Sequence, residues 1–301
     1  MKQETWPELS FEKGNDTYQT IHLWTQIAGK IRLAKMPWIN HSWHVTLYVT
    51  PFGLSTGNIP DLNKHFQINF DFLNHQLQII TSDKEERVFP LSVMSVASCY
   101  RNILGALADL DIGIKINPIP CEIENAIAFH EDEAHSTYVP EVAESLHKAL
   151  LNVQRVFTDF RAKFSGKCSP VHFFWGSFDL AVSRYSGRKA PLHPGGFPNL
   201  ADWVAQEAYS HEVCSCGFWP GSKAMPSAAF YCYIYPAPPG FSSAAVKPEA
   251  AYWQDEMGEF ILEYKDVQQA EDPSGVLMQF LDSTYEAAAE LADWDGEKLE
   301  K

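Results

Sequence analysis

From Val171 the chain alternates, with Val171, Phe173 and Trp175 set against His172, Phe174 and Gly176. Period two is the mark of a strand with two differently populated faces. Beyond Gly176 the apolar positions change parity, to Phe178, Leu180 and Val182, which predicts a β-bulge at the glycine that re-aims the side chains after it. Ser186-Gly187 then predicts a turn, since glycine tolerates the positive φ such turns need. The same alternation predicts strands over residues 43–50, 66–72, 76–81, 88–91, 112–116, 213–219, 228–235 and 260–264.

A different period governs the rest. Ile21, Trp24, Ala28 and Ile31 share one helical face, with Asn15-Asp16-Thr17 ahead of them as cap candidates. Ser92 can cap a second helix whose stripe runs from Val93 to Leu110. Pro140 suits the first turn of a third, striped by Leu146, Leu150, Val153, Phe157 and Phe160 and closed by Gly166. A short helix is expected over 199–209 and a last one from Asp272-Pro273. Residues 51–63 read as a loop, 121–138 as a long connection, and 236–248 as an extended linker along the surface.

Helix, several strands, helix thus occurs twice. The expected fold is α+β: one structural unit over 1–301, built of two packed halves, 1–120 and 139–301, joined by 121–138. Each half would hold antiparallel strands between helices, a pseudo-repeat in element order and not in residue identity. Strand and helix do not alternate strictly, which disfavours a doubly wound parallel sheet.

Composition narrows the classes. The chain has 301 residues, 46% of them apolar and 13% aromatic, ample for a sizeable core and unlike a disordered chain. A net charge of -15 argues against nucleic-acid binding and against anionic membranes. The first residues lack the apolar core that secretion needs, and no apolar run approaches a membrane span. Six cysteines without a C-x-x-C pair read as free thiols, and a cytoplasmic address is expected. Oligomeric state is not set by any of this.

The charge is unevenly placed. Residues 249–300 hold 15 Asp and Glu against Lys265 and Lys298, whereas 161–189 hold six Lys and Arg against Asp179 alone. Such a basic island beside aromatics can hold a carboxylate or phosphate through Arg forks; equally, it can pair with the chain's own acidic segment. The ligand-binding candidates are Lys167, Trp175, Arg184 and Arg188, for an anionic small molecule. His172 and Asp179 are the catalytic candidates, as an acid–base pair across the bulge; the plainer alternative for His172 is a core histidine bonded to backbone. His130 and His135 are five apart, one too many for two ligands on a helical face, and His211-Glu212 with Cys214 and Cys216 lacks a second ligand pair. No metal or cofactor is therefore expected, and no phosphate loop, dinucleotide fingerprint or nucleophile elbow is present. A small-molecule-binding protein is the leading expectation, with enzymatic use of the His/Asp pair left open. A scaffold presenting the acidic C-terminal helix and residues 236–248 is its rival. A metal-dependent hydrolase using His130, His135 or His211 is the third reading.

Several segments carry a resemblance: Phe164-Ser-Gly-Lys-Cys-Ser-Pro-Val-His-Phe-Phe-Trp-Gly-Ser-Phe-Asp-Leu-Ala, Arg184-Tyr-Ser-Gly-Arg188, Gly29-Lys-Ile-Arg-Leu, Ser210-His-Glu, Gly217-Phe-Trp-Pro-Gly221 and Gly258-Glu-Phe-Ile-Leu. With these, nearly the whole chain resembles an uncharacterised family of bacterial and fungal proteins, a domain of unknown function. That resemblance implies no substrate, cofactor or catalytic residue.

Overall fold

Helix α1 (Phe11–Lys35) is the element the others enclose. The computed structural model describes residues 5–222 and 225–300. Ser10 caps α1 by accepting the Lys13 amide at 3.4 Å, so the helix starts ahead of the expected Asn15-Asp16-Thr17 cap. The predicted stripe is buried, but so is every residue from Leu23 to Arg32, because protein packs on all sides of the helix. Its polar residues are satisfied in place. Thr20 donates to the Asp16 carbonyl (2.9 Å) and Thr25 to that of His22 (2.8 Å). Arg32 donates to the carbonyls of His44 (2.6 Å) and Thr56. Its guanidinium also lies over the Tyr48 ring at 5.3 Å.

The chain continues with β1 (Tyr48–Val49), β2 (Gly53–Ser55), β3 (Ile59–Asp61), β4 (Lys64–Asp71), β5 (Gln76–Thr81), β6 (Glu86–Pro90) and α2 (Val96–Asp109). After residues 110–139 come α3 (Pro140–Ala162), β7 (His172–Phe174), β8 (Asp179–Lys189) and α4 (Asp202–Ala208). They are followed by β9 (His211–Trp219), β10 (Ala229–Tyr235), β11 (Tyr252–Gln254), β12 (Glu259–Glu263), α5 (Tyr264–Gln268), α6 (Pro273–Leu291) and α7 (Gly296–Leu299). One sheet runs β1-β2-β4-β5-β6 with β3 on β4; the other runs β11-β12-β10-β9-β8-β7. Every strand pair is antiparallel, and the fold is α+β. Leu47 and Phe173 exchange two backbone bonds of 2.9 Å, which ties the sheets together at one point. A buried apolar cluster extends from Trp6 to Trp294.

The parity change at Gly176 has another cause than a bulge. β7 ends at Phe174, β8 starts at Asp179, and these two residues pair across a hairpin; parity flips because the chain reverses. Nor does Ser186-Gly187 end the strand. β8 runs on to Lys189, with its register to β9 shifted between Tyr185 and Lys189 and Gly187 at φ 87°. Of residues 43–50 only Tyr48–Val49 is strand; His41 and Ser42 before it sit at φ 57°. Residues 112–116 form no strand. Ile112 and Ile116 are buried there by one-sided packing, which alternation reports whether or not a strand partner exists. The predicted loop 51–63 contains β2 and β3. The linker 236–248 is pinned by Phe241, buried edge-on against Trp253 (5.7 Å) and Phe260 (5.2 Å).

Candidate functional site

The second sheet has two unlike faces. Leu180, Val182 and Arg184 of β8, Cys214, Cys216 and Phe218 of β9, and Phe230, Cys232 and Ile234 of β10 lie in register on one face, the side that α3 and α6 cover. The other face carries small side chains in its middle: Ala181 pairs with Gly217, and Ser183 with Ser215. Tyr231 and Tyr233 stand on β10 beside them. Small residues flanked by large aromatic ones leave a hollow. It measures about 580 Å³, in the range of small-molecule sites. Trp43, Phe174, Trp175 and Tyr185 also wall it, and α4 closes over it with Trp203 and Ala205. Glu207 of α4 holds the 38–45 stretch in place by accepting the His41 amide at 2.8 and 3.0 Å. Trp38, Phe197, Trp203 and Met257 line the hollow and remain exposed, so its rim is apolar.

Three carboxyl groups open into this hollow: Glu122, Asp179 and Glu259. Asp179 is buried and accepts the hydroxyls of Ser177 and Tyr231. Burial pushes its pKa up from the usual carboxylate value, against those two bonds. Glu122 is raised to about 7, by burial first and by Asp179 second. Glu259 is raised to about 8, again mainly by burial. No hydrogen bond to the carboxyl of Glu122 or Glu259 is made among the described residues. Three acids facing one hollow disfavour one another's ionisation, so part of the set stays protonated near neutrality.

Helix α1 sets the geometry. The Gln26 amide grips Cys121 in both directions, donating to its carbonyl (2.9 Å) and accepting its N–H (3.0 Å), which fixes Glu122 next to it. His22 donates through Nε2 to the Gly176 carbonyl at 2.9 Å and stacks on Phe178 at 5.0 Å, which fixes the β7–β8 turn. Glu122 and Phe178 both hold positive φ, 59° and 60°. Such backbone strain in non-glycine residues persists where the surroundings over-determine it, and it clusters at functional sites. Gly176 makes room for Glu122: a Cβ there would lie 2.0 Å from Glu122 Oε1. The contact is with the free end of a side chain, so Gly176→Ala should shift stability by less than about 1 kcal/mol. It should nevertheless move the Glu122 carboxyl outward and lower its pKa from about 7 toward 4.5, as carbon-detected NMR titration of the glutamates would read.

The predicted site residues divide. Trp175 lines the hollow, its indole donating to the Val45 carbonyl at 2.7 Å, and Asp179 is central to it. His172 is on the same face, buried among the rings of Trp43 (6.0 Å), Tyr48 (5.6 Å) and Phe174 (5.8 Å). It does not bond Asp179, and its Nδ1 has no hydrogen-bond partner. Burial holds its pKa down to about 4, with the Arg32 and Arg161 charges adding to the effect. Lys167 lies at the edge. Its ammonium donates to His41 Nε2 at 2.7 Å and sits over Trp43 (5.4 Å) and Tyr185 (5.2 Å). His41 spends its other nitrogen, Nδ1–H, on the Ala208 carbonyl at 2.8 Å.

Neither arginine reaches the hollow. Arg184 has the opposite parity on β8 and is buried on the helix side, over the rings of Phe160 (3.4 Å), Tyr285 (4.2 Å) and Phe164 (5.1 Å). Arg188 pairs with Glu212 (2.8 Å) and donates to the carbonyls of Ala292 and Asp293, beyond the C-terminal end of α6. Lys163 pairs with Asp282 of α6 at 2.6 Å. Part of the basic island therefore binds the protein's own C-terminal segment, where carbonyls at a helix end welcome a cation.

Glu122, Glu259 and Tyr231 are site residues that pattern reading passes over. Glu122 sits in an irregular segment with no periodicity. The Tyr231-x-Tyr233 face against Cys232 and Ile234 is the signal by which the β10 side of the hollow could have been found. Among the described residues, none of His130, His135 and His211 joins two further donors within reach of one ion. His135 Nδ1 bonds Asp132 (2.8 Å), His130 lies 3.5 Å from Glu131, and Glu212 is held by Arg188 and Ser186. Among the described residues no helix is long and apolar enough to cross a membrane.

Comparison with curated proteins and with solved structures found no match. A family model does match, across residues 6–301, so nearly the whole of this chain, hollow and both sheets included, belongs to the family of unknown function DUF5996.

Proposed function

We propose that the hollow binds a small organic amine, with its ammonium among Glu122, Asp179 and Glu259 and its apolar or aromatic body against the tryptophan-rich rim. One observation carries this: three carboxyls face one aromatic hollow, and two of them have no partner from the described protein. Aromatic faces and carboxylates both favour a cation. An anionic ligand, expected from the arginines, would meet the acids instead, because Arg184 and Arg188 lie elsewhere.

Binding would be linked to protons. With Glu122 and Glu259 raised to about 7 and about 8, seating an ammonium requires that they ionise. Affinity should therefore fall as pH drops below about 8 and more steeply below about 7, approaching a tenfold loss per pH unit for each proton that must leave. The test is titration of tryptophan fluorescence with an aromatic amine and with an aromatic carboxylate of the same size. The amine should bind, and Glu122→Gln and Asp179→Asn should each weaken it at least tenfold. Tighter binding of the carboxylate, or amine binding indifferent to both substitutions, would sink the reading.

A further inference from the structure

The helix-facing side of the same sheet holds a second cluster that the hollow does not use. Cys214 and Cys216 are two apart on β9, hence on one face, and Cys232 is the cross-strand partner of Cys216 on β10. Their sulfurs lie within 4.8 Å of one another; Cys232 Sγ is 3.3 Å from Cys216 Sγ and 3.7 Å from Cys214 Sγ. All three residues are buried, at 2%, 1% and 0% exposure. Among the described residues no other group of three His, Cys, Asp or Glu donors comes within reach of one ion.

A second observation points at the same place. Arg184 is the cross-strand neighbour of Cys214 and is 3% exposed. It forms no ion pair among the described residues, and its Nε has no hydrogen-bond partner. A buried guanidinium held only by rings and one carbonyl lacks a counter-anion. Thiolates around a metal ion would supply one.

We propose that Cys214, Cys216 and Cys232 bind one cuprous ion as a three-coordinate thiolate site, with Arg184 offsetting its negative charge. Soft thiolates select soft ions. Metal–sulfur bonds of about 2.3 Å place the three sulfurs of a trigonal site about 4 Å apart, close to the spacing already present. Zinc's structural sites close with four ligands, and among the described residues three converge here. On binding, three S–Cu bonds form, up to three thiol protons leave to solvent, and copper stays cuprous throughout.

The experiment adds Cu(I), delivered anaerobically from a chromophoric chelator, to the full-length protein. Copper per chain, the ultraviolet sulfur-to-copper band and the melting temperature are followed. The expected result is one tightly held equivalent with a raised melting temperature, since an ion that binds only the folded state stabilises it. Affinity should drop at least tenfold in Cys232→Ser and in Cys216→Val, and stay unchanged in Cys168→Ser and Cys99→Ser. Circular dichroism confirms that the variants fold, and having two different replacements guards against one that does not. No copper taken up by the folded protein, or uptake that survives Cys232→Ser and Cys216→Val but disappears in Cys168→Ser, would overturn the proposal.

Discussion

Gly217→Ala should destabilise the protein by about 3–5 kcal/mol, more than a single methyl usually costs. Tyr231 stands opposite Gly217 on the neighbouring strand, and its ring crosses over the glycine to donate to Asp179 on β8. A Cβ at position 217 would lie 2.2 Å from Tyr231 Cζ and Oη, so the ring must leave. Displacing it strains the sheet face, at about 1–3 kcal/mol for overpacking. It also strips a buried carboxyl of one of its two donors, worth about another 1.5–3 kcal/mol. Urea unfolding measures the sum. The mechanism has its own control: in a Tyr231→Ala background the glycine substitution should cost under about 1 kcal/mol, because the ring it collides with is gone. A full penalty in that background would show that the clash lies elsewhere. The same substitution should abolish ligand binding, since the displaced phenol enters the hollow.

His172→Leu and Glu259→Gln should change the pH dependence of stability in opposite directions. His172 is 1% exposed with a folded pKa near 4, below its ordinary 6.5. Between those values the unfolded chain binds the proton and the folded one does not. The neutral ring's contribution is thus present above about pH 6.5 and is lost as pH falls toward 4, on the order of 3 kcal/mol. His172→Leu removes that slope and should gain about 2–3 kcal/mol on the wild type between pH 7 and pH 4.5. At pH 7 the change should be small or slightly stabilising, because an unpartnered buried nitrogen is removed. Glu259 runs the other way. Its folded pKa, about 8, exceeds the ordinary 4.5, so its contribution is full below about pH 4.5 and is lost as pH rises through 8. Glu259→Gln should therefore gain on the wild type between pH 5 and pH 8.5, by about 2–3 kcal/mol once its partial exposure is discounted. Chemical denaturation at four or five pH values reads both slopes. An unaltered acid slope in His172→Leu would mean that the ring is partnered and titrates normally.

His172 also marks where hydrophobic periodicity succeeds, and Gly176, Arg184 and Glu122 mark where it stops. Alternation through Val171–Trp175 puts His172 on the face opposite Phe173, and there it lies, paired with Ala181 while Phe173 pairs with Leu180. The same alternation could not tell a hairpin from a bulge at Gly176: both flip parity, and only the pairing of Phe174 with Asp179 separates them. Arg184 shows the matching limit. Its place between Val182 and Tyr185 already gives it the apolar parity of β8, yet its charge argues for a wet face. Burial over Phe160, Phe164 and Tyr285 resolves the conflict in favour of parity. Glu122 carries no periodic signal, because an irregular segment has none to give.

What the residues fix on their own is local. The helical stripe of α3 behind Pro140, the Asp272 cap of α6 and the two-faced strands β4, β5, β9 and β10 are each written within a few positions, where 3.6 and 2 are the only periods available. Tertiary structure decides the rest: that α1 is enclosed on all sides, that Gln26 and His22 hold Glu122 and the Gly176 turn from it, and that small residues on β8 and β9 meet to leave a hollow. Glu122, Asp179 and Glu259 are far apart in the chain, and their shared field and raised pKa values exist only once burial strips away water. A sum over neighbours in space cannot be read from neighbours in sequence.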